Sequence, residues 1–167
     1  MILELIDKGT VRGSRSEAFH CFWRAELWPR LTSHVTGVEM LEEQECWQRY
    51  ALHVQVDGKP YTMETQRIAV PSSFISFYQP KPPSFMRTHS GVWQFEEIGD
   101  GGTLITVTHR VDVDDQKAME ALGAGSIDEA RKMLLHNLHK NGMAMINSVD
   151  GFVRAREQKE QFVAAAD

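Results

Sequence analysis

Cysteine is scarce, an excess of cationic side chains is absent, and no apolar run approaches the length of a bilayer span; each shortage removes a class of protein. Cys21 and Cys46 are the only two cysteines among 167 residues, and they show no metal-ligand spacing. They support neither a zinc site nor a disulfide framework, so reduced thiols are expected. A net charge of −5 without a lysine or arginine cluster argues against a nucleic-acid binder, because phosphate contacts need clustered cations, and anionic membranes are poor partners for the same reason. The apolar runs are too short to cross a membrane and the first residues lack a basic segment ahead of a hydrophobic core, so a cytoplasmic location is expected. A nucleophile elbow, a phosphate loop and a dinucleotide fingerprint are missing as well. With no internal repeat, low-complexity tract or linker, residues 1–167 read as a single domain, large enough to bury a core or enclose a pocket.

Proline is also missing between Ser126 and about Glu160, and that stretch reads as one long helix. Ser126 with Glu129 three residues later is a capping-box signature. Ile127, Ala130, Leu134, Leu138, Met145, Val149 and Phe152 then recur at three- and four-residue steps and draw one apolar stripe. At about 1.5 Å per residue such a helix is roughly 50 Å long, so its partner should be a broad surface such as a curved sheet. Asn141 and Gly142 interrupt the stripe, which marks either a cavity or close packing. His136 and His139 have helical spacing, but no carboxylate or cysteine near them in sequence completes a metal site, so they are read as a solvated face.

The rest of the chain is mostly strand. Ile2 to Val11 is a first strand, and Ser14 with Glu17 caps a short amphipathic helix carrying Ala18, Phe19, Phe22 and Trp23. Leu27 to Leu31 is a second short helix or turn, with Pro29 at its start. Six strands follow at Val35–Glu43, Cys46–Val56, Pro60–Val70, Ser73–Gln79, Met86–Ile98 and Thr103–Val113. Asp57-Gly58, Pro71-Ser72 and Gly99 to Gly102 punctuate them, and such short connections imply antiparallel neighbours. The longest breaks, Pro80–Phe85 and Asp114–Gly125, are expected to form lips over a cavity mouth, with Phe85 and Leu122 facing a hydrophobic ligand.

Parity assigns the side chains that face the helix. Thr103, Ile105, Val107, His109, Val111 and Val113 share the apolar face of the last strand, which turns His109 inward. In the strand from Pro60, parity leaves the inner face open between two sets; the set with Tyr61, Met63, Thr65 and Arg67 is preferred, and an inward guanidinium is costly unless paired. Trp93 and Phe95, with Gly91 beside them, line the same chamber. Each of these residues has a plain structural reading: a hydrogen-bonded core histidine, a structural arginine pair, core aromatics. Their coincidence opposite a notched helix favours a functional pocket.

The order of elements, together with Leu27-Trp28-Pro29, Val38 to Glu43, Leu52 to Gly58, Thr65-Gln66-Arg67, Ser90-Gly91-Val92-Trp93, Leu104 to His109 and Asp128 to Leu134, resembles the aromatase/cyclases of bacterial type II polyketide synthases, within the START/Bet v 1-like helix-grip superfamily. The resemblance implies an α+β helix-grip fold, with a curved seven-stranded antiparallel sheet wrapped around a long C-terminal helix and two short helices after the first strand. It implies an enzyme that uses no cofactor and no metal. In its cavity a poly-β-ketone borne by an acyl carrier protein would undergo regiospecific aldol cyclisation and dehydration. The family's catalytic arginine and histidine match Arg67 and His109, and Tyr61, Met63, Thr65, Trp93, Phe95, Asn141 and Met145 would line the substrate site. Met145 stands where the closest family members carry an aspartate, so the acid must be protonated His109, Tyr61 or a water. A homodimer is left open. The alternative is a binding protein of the same fold, with Arg67 gripping a carboxylate or phosphate of a hydrophobic ligand.

Overall fold

The computed structural model describes residues 1–164. Seven antiparallel strands form one sheet in the order β1-β7-β6-β5-β4-β3-β2. They are β1 (Ile2–Val11), β2 (Val35–Gln44), β3 (Trp47–Val56), β4 (Lys59–Val70), β5 (Phe74–Lys81), β6 (Met86–Ile98) and β7 (Gly102–Val113). Each expected strand is present within two residues at either end. Register shifts in the β2–β3, β4–β5 and β6–β7 pairings insert extra residues that bend the strands, which turns a flat ribbon into a trough.

Helix α1 (Arg15–Trp23) and the short α2 (Trp28–Leu31) follow β1, joined by a 3-10 turn at Ala25–Leu27. The capping box of α1 is complete: Ser14 N–H donates to Glu17 Oε2 at 2.8 Å and Glu17 N–H donates to Ser14 Oγ at 3.2 Å. Helix α4 (Ile127–Ala164) is the long element that the trough grips. Glu129 N–H donates to Ser126 Oγ, and the Glu129 carboxylate reaches back to Gly125 N–H. This is the expected helix-grip arrangement.

Two details differ from the sequence reading. The Asp114–Gly125 stretch contains a helix, α3 (Asp115–Leu122), whose start is capped by the Asp114 side chain and whose end turns at Gly123 with φ +69°; glycine takes that left-handed conformation without a Cβ penalty. The buried stripe of α4 runs through Ala130, Leu134, Met145, Ile146, Val149 and Val153, whereas Ile127 and Phe152 are exposed. Over so many turns the 3.6-residue period rotates the stripe by a position, so Val153 takes the seat that Phe152 was expected to fill.

The core divides in two. One cluster joins α1, the sheet and the later half of α4 through Phe19, Phe22, Trp93, Phe95, Ile105, Val107 and Val149. A second joins α3 and the start of α4 to the ends of β6 and β7 through Phe85, Met86, Val111, Val113, Ala118 and Leu134. A cavity lies between sheet and α4 where neither cluster fills the space.

Candidate active site

The cavity has about 170 Å³ of open volume. Of the residues expected to line it, Tyr61, Met63, Thr65, Arg67, Trp93, His109, Asn141 and Met145 all do, and so do Phe85 and Leu122 from the two expected lips. Phe95 does not. Its ring packs edge-on against Phe19 at 5.6 Å and Phe22 at 5.5 Å, which makes it a core aromatic one step beyond the cavity wall. At the mouth, Lys59 Nζ donates to the Ala121 carbonyl at 2.8 Å and ties the start of β4 to the end of α3.

The polar lining is organised around four side chains from four strands. Thr65, Gln79, His89 and His109 come from β4, β5, β6 and β7, all on the inner face, and all are buried. Gln79 Nε2 donates to Thr65 Oγ1 at 3.3 Å, Gln79 Oε1 lies 2.7 Å from His89 Nδ1, and His89 Nε2 lies 3.0 Å from His109 Nδ1. An amide oxygen only accepts, so His89 must donate from Nδ1, which leaves its Nε2 to accept and obliges His109 to donate from Nδ1. Neutral His109 therefore carries its lone pair on Nε2. That atom is buried and has no hydrogen-bond partner among the described residues.

Packing holds the two imidazoles. They stack with centroids 5.2 Å apart, and the Phe77 ring meets both edge-on, at 5.3 Å from His89 and 5.7 Å from His109. Gly91 makes room for that ring: a Cβ at this position would fall 2.5 Å from Phe77 and 2.2 Å from the Thr108 carbonyl, so no other residue fits. Burial pushes the His109 pKa down to about 4 against a partial upward pull from Asp7, and burial together with His109 pushes His89 down to about 3. Both rings are neutral at pH 7.

Arg67 sits at the other side of the cavity and is nearly fully engaged. Its Nη1 donates to the Phe22 carbonyl at 2.8 Å, and Nη2 donates to the Trp23 carbonyl at 2.6 Å and to Gln48 Oε1. The guanidinium lies over the rings of Trp23, Trp28 and Tyr50 at 5.0, 5.1 and 4.9 Å. It thus closes the C-terminal end of α1, whose last carbonyls lack intrahelical partners. Burial lowers its pKa from the ordinary value. Only Nε has no partner among the described residues.

Sequence reasoning missed Gln79, His89, Gln48 and Asp7. His89 shares the parity of Gly91, Trp93 and Phe95, and Asp7 shares that of Leu3, Leu5 and Val11, so the signal for an inward orientation was present. His139 is not merely solvated: its Nδ1 donates to the buried Asp7 Oδ1 at 2.6 Å. No grouping of three metal-ligating side chains occurs among the described residues, and no described helix is long and apolar enough to cross a membrane.

Comparison with known proteins adds the family context. The sequence profile of a family described as polyketide cyclase / dehydrase and lipid transport matches residues 11–139. The granaticin polyketide synthase bifunctional cyclase/dehydratase of Streptomyces violaceoruber is 27% identical over 156 residues, covering 87% of this chain and 46% of the relative. The chain thus spans about half the length of that curated relative. Among solved structures, the di-domain ARO/CYC StfQ from the steffimycin biosynthetic pathway superposes with a TM-score of 0.85 at 24% identity, over 95% of this chain and 53% of that one. The Zhui aromatase/cyclase from Streptomyces sp. R1128 gives 0.83 at 24% identity, over 93% and 96%. At these identities the superpositions establish the fold.

Proposed function

The chain belongs to the polyketide cyclase/dehydrase and lipid transport family, and on that premise we propose that it is an aromatase/cyclase acting on a carrier-bound poly-β-ketone. The observation that carries this reading is the cavity-lining His109, whose Nε2 is buried without a partner among the described residues and which is held in one tautomer by Thr65, Gln79 and His89. Ring closure needs a proton removed from a methylene between two carbonyls, and a positioned neutral imidazole does this. The carbanion electron pair then attacks a distant carbonyl carbon of the same chain. The new alkoxide takes the proton back from the imidazolium, so atoms and charge balance. In dehydration a second methylene proton goes to His109, the carbon–oxygen bond breaks, and the departing hydroxide leaves as water with that proton. An imidazolium whose pKa burial holds near 4 is a strong acid for that last transfer, which suits a site with Met145 where related cyclases carry an aspartate.

Arg67 contributes a fixed positive charge and one spare donor, Nε–H, for the enolate oxygen. Tyr61, Met63, Trp93, Asn141 and Met145 shape the space that decides which carbon meets which carbonyl. That space, about 170 Å³, is on the scale of the roughly 150 Å³ cavities that hold one benzene ring. It suits the forming ring, with the rest of the chain running out between Phe85 and Leu122. The reading treats residues 1–167 as a single domain that works without cofactor or metal, with an acyl carrier protein as delivery partner. A ligand carrier of the same fold is the second reading. It is favoured by the commitment of both Nη groups of Arg67 to protein acceptors.

Reconstitution with a minimal polyketide synthase separates the two. The enzyme reading expects the ratio of cyclised aromatic product to spontaneous shunt products to rise when the protein is added. An unchanged ratio at every chain length, alongside tight binding of aromatic ligands, would leave the carrier reading in its place.

A further inference from the structure

Beside the imidazole ladder lies a second buried polar group that the chemistry above does not use. Asp7 is on the inner face of β1, diagonal to His109 in the β1–β7 pairing, where Leu5 faces His109 and Asp7 faces Val107. Its side chain is buried at 7% exposure; Oδ1 accepts from His139 on α4, while Oδ2, also buried, has no partner among the described residues. His109 Nε2 is in the same condition. The two orphaned atoms flank one point. A Cβ on Gly142 of α4 would lie 3.8 Å from Asp7 Oδ2, 3.9 Å from His109 Nε2 and 3.7 Å from Val107 Cγ1. The missing side chain therefore leaves a notch walled by one aliphatic group and two hydrogen-bond acceptors.

Two acceptors facing each other require a species with two hydrogens to donate, and a water molecule is the smallest that fits such a polar niche. We propose that the Gly142 notch seats one water bridging His109 Nε2 to Asp7 Oδ2, and that Asp7 with His139 is a positioning and proton-exchange unit for His109. The inference rests on the reading of His109 as the base. Nε2 has a single lone pair, so the substrate proton reaches it through the water, which gives its own proton to Nε2 as it takes the substrate's; the carboxylate is then the nearby counter-charge for the imidazolium. His139, whose side chain is 53% exposed, gives Asp7 contact with solvent, so protons can re-equilibrate without opening the cavity. The ionisable groups converging here are Asp7 from β1, His89 from β6, His109 from β7 and His139 from α4.

Gly142→Ala tests the proposal without altering either ionisable group. The added methyl meets its neighbours at ordinary contact distance, and the better helix propensity of alanine offsets part of the cost of stranding two buried acceptors, so the variant should fold with a modestly lowered unfolding midpoint. Two readouts on the full chain are needed. Imidazole nitrogen NMR at pH 7 should show His109 Nε2 as a hydrogen-bonded acceptor in the wild type and as a bare lone pair in Gly142→Ala. Ring closure in the reconstituted synthase should fall about tenfold or more in Gly142→Ala, and in Asp7→Asn through kcat with little change in KM. An Nε2 resonance that does not move, or full turnover in Gly142→Ala, would overturn the proposal. A wild type without cyclase activity whose Nε2 resonance still moves would instead sink the cyclase reading and leave the bridging water in place.

Discussion

Arg67 and His109 are similarly hidden from solvent, at 2% and 7% exposure, yet their hydrogen bonding is completed in opposite ways. The guanidinium spends both Nη groups on two carbonyls at the end of α1 and on Gln48, under three aromatic faces. The imidazole is fixed from one side by His89, and its other nitrogen is buried without a partner among the described residues. Buried polarity is costly unless it is satisfied. A group tied off on nearly every side earns its place through the fold, and a group held firmly on one side and free on the other is set up to exchange a proton. Type of residue alone does not distinguish these cases; the destination of each hydrogen bond does.

The largest effect expected from breaking this contrast is on stability at Arg67. Arg67→Ala strands the Phe22 and Trp23 carbonyls and Gln48 in a buried site, and should cost about 3–5 kcal/mol in urea unfolding. Turnover per folded molecule in that variant should fall by less than in His109→Ala. Next comes His109→Ala, which should cut ring closure by roughly 10²-fold, the scale of a lost general acid/base, while aromatic-product affinity changes little and stability falls by about 1–3 kcal/mol as His89 Nε2 loses its donor.

A smaller effect concerns pH. His109 and His89 are held near 4 and 3, below the ordinary 6.5 of the unfolded chain. Between pH 6.5 and about 4 the unfolded state therefore binds protons that the folded state refuses, and stability falls as pH falls through that window. Each histidine contributes about 1.4 kcal/mol per pH unit. Unfolding followed across the window should show a shallower slope for His109→Ala than for the wild type, and equal slopes would contradict the neutral-ladder account. The smallest change expected is Thr65→Val, which removes the long 3.3 Å bond at the far end of the ladder. It should cost about 1 kcal/mol in the same unfolding assay and leave turnover within a few-fold.

The fold was legible because its signals are local. Alternation along β7 turned His109 inward, turn chemistry separated the strands, and the Ser126–Glu129 pair marked the start of α4. Helix α3 escaped because eight residues leave little room for a period, although Asp114 and Gly123 are good caps. In the site, the preferred face of β4 put Arg67 inward, as observed, although parity alone left two faces open; its partners Phe22 and Trp23 lie 45 and 44 positions away, a pairing that no local pattern encodes. His89 and Asp7 obeyed the same parity and were passed over, since a polar residue on an inner face gains meaning only from what it touches across strands. Phe95 was assigned to the cavity because parity names a face and not a depth.

The central claim, that His109 acts chemically and Arg67 chiefly through the fold, is tested most directly by one paired measurement. Unfolding free energy and the ratio of cyclised to shunt product are determined on the same preparations of wild type, Arg67→Ala and His109→Ala. The account expects Arg67→Ala to lose the more stability, with turnover per folded molecule reduced by less than in His109→Ala, and His109→Ala to lose turnover per folded molecule with the smaller loss of stability. A His109→Ala protein that still closes the ring at the wild-type ratio, or an Arg67→Ala protein of native stability that no longer does, would contradict it.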